Sequence, residues 1–258
     1  ENRSDIRPEN PPKRVFIFSI LIISSWQILF QVGILLFGII PPDDAKKIFI
    51  NLPALLLFVI TISIASLLYK YFVGVFTGFY KNETAYIKAL KSIKLYETLL
   101  IIIPILFSFI IPILLMYIYI PEHTSVYVFK AVLMFSVGNC FLFALFFYVL
   151  FIQQFEQWLH IIPLHVGFKG MPLKVRSALT AFFSFTGTVL IALAPLVVLN
   201  SGDSVHEAIH AKTIPLVCIG LFFGLFDLYL QSGGSAFRLQ NILDFTSEMS
   251  NKDYTKEK

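Results

Sequence analysis

The 258 residues are 57% hydrophobic and only 14% charged, with a mean hydropathy of +0.79. A soluble domain is about half apolar and a quarter charged, so a single water-bathed globule is excluded. The net charge of +4 is too small to call for a nucleic-acid partner.

Six apolar stretches follow along the chain, at roughly 15–40, 50–69, 97–120, 130–152, 177–199 and 213–231. Each suffices for a helix crossing a hydrocarbon core of ~30 Å at ~1.5 Å per residue. The expected fold is therefore an all-α membrane protein with six transmembrane helices and the lipid bilayer as its first partner. Three parts are expected: a tail at 1–14, a six-helix domain at 15–232 and an exit helix at 233–258.

The first stretch is too long for a signal-peptide core and lacks a small-residue cleavage site after it. It carries Trp26, Gln27 and Gln31, polar-tipped residues able to line a cavity. The turn IIPPDDAKK leads into the second stretch, which is expected to run on through YKYFVGVFTGFYKNETAYIKALKSIK with Tyr86, Leu90 and Ile93 on one face. Pro104 and Pro112 are candidate kinks in the third stretch and Pro195 in the fifth. Asn139, in SVGNCF, is expected to donate a hydrogen bond to a neighbouring helix. Cys140 and Cys218 lie in different stretches and read as small packing residues.

The turn before the sixth stretch contains His206-Glu207-Ala208-Ile209-His210. On a helix, His residues at i and i+4 share a face and can bind Zn²⁺, with Glu activating a bound water. Lys212 and Asp203 occupy flanking positions where that motif expects apolar residues. A solvated turn is the favoured reading, with proteolysis and metal or pH sensing by the histidines as alternatives. No other feature suggests an enzyme, and no cofactor besides that zinc is implied.

Asp227, in FFGLFDLYLQ, is the acidic residue inside a proposed span, about one turn from its inner end. It reads either as a carboxylate snorkelling to the near interface or as a latch paired with Lys70 or Lys94. Gly233 and Gly234 follow as a candidate hinge. Sixteen Lys and Arg residues fall on the side of the two termini and four on the other. That asymmetry predicts both termini in the cytoplasm.

Turns at Pro41, Pro121 and Ser201, and basic residues at Arg14, Lys94 and Lys174, recur every 80 residues. Three helical hairpins are therefore expected. The terminal segment is the third inner extension and does not return to the membrane. Its apolar residues Leu239, Ile242, Phe245 and Met249 have the 3–4 spacing of a parallel helix pair.

RLQNILDFTSEMSNKDYT resembles the first helix of a HAMP linker, which follows the last membrane helix of bacterial transducers. Leu239, Ile242, Phe245 and Met249 match its apolar seam, and Lys252-Asp253-Tyr254-Thr255 stands where its Gly-Asp-Leu-Thr-like turn ends the helix. Arg238 replaces the usual Pro, and Lys252 the usual Gly. The resemblance covers under 20 residues. It implies the membrane input region of a chemotaxis transducer, with the membrane region of a class III adenylyl cyclase as runner-up. It also implies a homodimer in an inner membrane, a cytoplasmic signalling domain in a parent chain, and a small-molecule stimulus binding among the helices. A small-solute transporter is the competing class, but no midplane charge accompanies the three prolines.

Overall fold

The computed structural model describes residues 10–119, 126–159, 172–198 and 209–251, with 233–251 described as backbone. All regular structure among them is helical: α1 (Lys13–Phe37), α2 (Pro42–Phe49), α3 (Leu52–Thr77), α4 (Glu83–Tyr119), α5 (Val126–Asn139), a π segment (Cys140–Ala144), α6 (Leu145–Leu159), α7 (Leu173–Val197), a second π segment (Ile209–Thr213) and α8 (Ile214–Asn251). Helices α5 and α6 join through the first π segment into one span. Six helices are long and apolar enough to cross a membrane, and the architecture is that of a multi-pass membrane protein. In lipid every backbone polar group must be satisfied within the segment, and runs of Leu, Ile and Phe satisfy it as helix.

The helix ends follow local chemistry. Asn51 Oδ1 accepts from the Ala54 amide at 2.7 Å and caps α3, and Asn82 Oδ1 accepts from Ala85 at 2.7 Å at the start of α4. Gly38 closes α1 in the left-handed region, φ 54°. Its carbonyl accepts from Lys212 Nζ at 3.1 Å, which ties the head of α1 to the segment leading into α8. The IIPPDDAKK turn contains the short helix α2, whose Ala45, Ile48 and Phe49 are buried. The expected inner extension of the second stretch is divided. Helix α3 stops at Thr77, and α4 starts afresh at Glu83. Gly78 ends α3 and Asn82 offers a cap, so the chain turns there. Ala89, Ile93 and Tyr96 then form the buried face, with Tyr86 and Leu90 at its margin.

The span α5–α6 is the axle of the bundle: 78% of its apolar window is buried, against 17% for α3 and 22% for α8. Around it pack α1, α4, α7 and α8, while α3 sits on α1 and α4 at the opposite edge from α8. The outer faces are apolar, as with Leu55, Leu56, Val59 and Leu67 on α3 and Leu221, Phe222 and Leu225 on α8. Such faces suit lipid rather than water.

Pro112 has no amide hydrogen to give the Ser108 carbonyl one turn back. Ser136 Oγ, from α5, donates to that carbonyl at 2.8 Å. The carbonyl left free by Pro112 is thus satisfied by the neighbouring helix. Glycines bring α5 and α7 together: a Cβ on Gly138 would sit 2.6 Å from Ile191 Cγ2 and 3.0 Å from the Gly187 carbonyl. Such close backbone approach is the way membrane helices gain packing energy without a hydrophobic drive.

Contacts also recur at a fixed separation. Ser19 meets Tyr96, Glu97 meets Arg176, Phe76 meets Phe155, Phe146 meets Phe226, and Gln153 meets Leu230, pairs 77 to 80 residues apart.

Candidate functional site

The end of the bundle where α1, α4 and α7 begin, here its base, holds a buried charge cluster. Arg176, in the first turn of α7, is 4% exposed and Glu97 of α4 is fully buried. Arg176 Nη2 donates to Glu97 Oε1 at 2.9 Å, and Nη1 donates to Glu156 Oε1 of α6. One guanidinium thus forks between two carboxylates and ties three helices. Arg suits this because its donors point apart in a fixed plane. Tyr148 of α6 lies within electrostatic reach of all three groups.

Aromatic rings adjoin the cluster along the chain, Tyr96 beside Glu97 and Phe155 beside Glu156, and pack between α3, α4 and α6. Tyr96 stacks on Phe72 at 4.7 Å between ring centroids, Phe151 stacks on Phe155 at 4.9 Å, and Phe76 packs edge-on to Trp158. Low-dielectric surroundings strengthen the ion pairs and equally raise the cost of losing a partner. Tyr148 also lines a narrow crevice of about 20 Å³ between Pro104 of α4 and the π segment. Leu100, Ile105, Cys140, Ala144 and Phe183 line it. Single-turn π segments frequently mark functional positions because they displace side chains from the helical register.

A second polar feature lies between α7 and α8. Gly220 presses on Thr188, and Gly224 on Ser184, with Cβ approaches of 2.6 and 3.3 Å. Farther down, Gln231 Nε2 donates to Ser177 Oγ at 3.3 Å. This antiparallel register sets Asp227 level with Thr180. Asp227 is fully buried, and neither carboxylate oxygen has a hydrogen-bond partner among the described residues; the same holds for Ser184 Oγ.

The sequence-predicted residues fall in several places. Asp227 neither snorkels nor latches: it faces α7, whereas Lys70 and Lys94 are exposed on α3 and α4. The reason is topological, since α8 packs on α6, α7 and the π segment. Gln27 is buried, its Oε1 accepting from Thr61 Oγ1 of α3 at 3.0 Å; Gln31 is half-buried. Trp26 is buried and donates to the Ile23 carbonyl. Asn139 Nδ2 donates to Phe135 of its own helix at 2.7 Å, where an interhelical bond was expected. Cys140 and Cys218 are free thiols.

Helix α8 runs without a break through Gly233 and Gly234 to Asn251. Leu239, Ile242, Phe245 and Met249 lie on that helical backbone, and Asp253 lies outside the described residues. So do His206 and Glu207; His210 is exposed in the second π segment. Among the described residues no three His, Cys, Asp or Glu side chains cluster as metal ligands would.

Sequence reading missed the base cluster. Glu97 stood at the margin of the third stretch, Glu156 beyond the fourth, and Arg176 was counted among the inner basic residues. The available signal was the 80-residue spacing: Glu97 follows Lys94 by three positions and Arg176 follows Lys174 by two. Equivalent turns thus carry opposite charges.

No protein-family model matches the chain, and no curated protein or solved structure matches it either.

Proposed function

We propose that the chain is a membrane-embedded sensory input whose output is α8. The observation that carries this reading is the continuity of α8, 38 residues from within the last span to Asn251. At ~1.5 Å per residue such a helix measures about 57 Å, nearly twice a hydrocarbon core. A helix that leaves the membrane without a break can pass on a rotation or shift of its inner half.

The segments 38–51, 120–125 and 199–208 are too short to hold a folded outer domain. The stimulus therefore reaches the protein among its helices or through the membrane. Contacts spaced 77 to 80 residues apart support three hairpins of common plan, and the one-sided basic residues support cytoplasmic termini. The HAMP-like order of Leu239, Ile242, Phe245 and Met249 favours a chemotaxis-type effector over a cyclase, working as a homodimer in an inner membrane. The family comparison adds nothing to that resemblance.

Disulfide cross-linking in membranes tests the output directly. Single cysteines at Leu239, Ile242, Phe245 or Met249 are expected to cross-link between copies, and those at Asp244 or Ser247 much less. Uniform cross-linking, or solute flux through liposomes containing the full chain, would overturn the reading in favour of an unspecialised tail or a transporter.

A further inference from the structure

We propose that Asp227 and Ser184 form a binding site for a small monovalent cation, Na⁺ or a proton, in the α7–α8 interface. The site stands on geometry at that interface and holds whether or not α8 is an output.

Asp227 lies on the buried stripe of α8 that also carries Leu216, Gly220 and Gly224. Both its carboxylate oxygens are enclosed without a partner, and one turn away Ser184 Oγ is enclosed without one. Two unrelated side chains on facing helices thus leave three polar atoms unsatisfied within about one helical turn of each other along the interface. Burying a carboxylate without a compensating partner costs several kcal/mol in a low-dielectric setting. Within a span, such a group marks an ion or proton position. Gly224 contributes by having no side chain: a Cβ there would meet Ser184 Cβ at 3.3 Å and Oγ at 3.9 Å. Thr180 completes the oxygen set, since its hydroxyl donates to the Arg176 carbonyl and keeps its lone pairs for a ligand.

Among the described residues the charged side chains do not fill this role. On α6, Tyr148 and Glu156 belong with the base cluster, and on α7 Arg176 is engaged by Glu97 and Glu156. The π segment offers Cys140, a neutral thiol. On the approach to α8, His210 and Lys212 lie more than three turns away, and Lys212 reaches Gly38. Asp227 forms no ion pair among the described residues. A cation arriving from outside would supply the missing charge, and Ser184 and Thr180 would turn oxygen toward it.

The test uses the full chain in liposomes and a membrane-permeant carbodiimide, which modifies buried protonated carboxyls, with sites mapped by mass spectrometry. Labelling at Asp227 that Na⁺, but not choline, suppresses at constant pH assigns the site to Na⁺. Protection should be about tenfold when Na⁺ is about ten times its dissociation constant. Labelling that follows pH alone assigns it to a proton. No labelling of Asp227 at any pH or salt overturns the proposal. In parallel, Asp227→Asn is expected to fold, with a midpoint of unfolding that no longer responds to Na⁺ or pH as the wild type's does. Identical responses in the two proteins overturn it as well.

Discussion

Replacing Arg176 by Met removes the cation that forks between Glu97, which is completely buried, and Glu156, which is 14% exposed. Glu97 then stays fully buried but loses the guanidinium that faces it at 2.9 Å. Removing one partner of a buried pair costs about 3–5 kcal/mol, mostly the penalty of the charge left behind. At 1.36 kcal/mol per decade this is a shift of roughly 10²- to 10⁴-fold in the unfolding equilibrium. Reversible unfolding in mixed detergent micelles, followed by Trp fluorescence, reads it. A second substitution, Glu97→Gln on the Met background, should recover a large part of the loss by removing the stranded charge. Arg176→Lys should fall between, because one ammonium cannot fork to two helices. A cost below about 1 kcal/mol for Arg176→Met, the range of exposed pairs, would refute the reasoning. So would a failure of Glu97→Gln to recover stability.

Ser136→Ala should cost about 1 kcal/mol by orphaning the Ser108 carbonyl, and almost nothing when Pro112→Ala restores the helix's own bond; a double-mutant cycle measures the coupling. Gly220→Leu should force α7 and α8 apart at Thr188, where even a Cβ would come to 2.6 Å, and be partly relieved by Thr188→Ala; unfolding midpoints of the two variants decide it. Replacing His206 and His210 together by Ala should leave the metal content of the purified chain unchanged by mass spectrometry, as a solvated turn requires; loss of one zinc per chain would restore the hydrolytic reading of HEAIH.

Hydropathy located all six spans because lipid demands about 20 apolar residues and internal hydrogen bonding, and both constraints are written locally. Prolines 104, 112 and 195 were visible for the same reason, but the Ser136 bond to the carbonyl that Pro112 leaves free was not. It joins residues 28 apart on different helices, and only packing brings them together. The break at Gly78 was legible as a glycine and an Asn cap, yet the apolar pattern across it masked the turn. Asp227 was noticed as a residue but misplaced, since one sequence cannot say which neighbour a helix face meets. The Glu97–Arg176–Glu156 cluster was hidden more deeply. Each member sits near a span boundary, where charges are ordinary, and its burial arises from the packing of three helices. The tail pattern at 239–249 is local and legible in the sequence.

The continuity of α8 is the account's central claim, and one distance tests it. A spin label on the exposed native Cys218 and another at Phe245→Cys, with buried Cys140 replaced by Ala, can be placed in the full chain in a bilayer. Pulsed electron–electron resonance should give a narrow distribution centred near 40 Å, the rise of an unbroken helix at ~1.5 Å per residue. A broad distribution reaching well below that value would place a joint at Gly233–Gly234 and contradict a relay through a rigid helix.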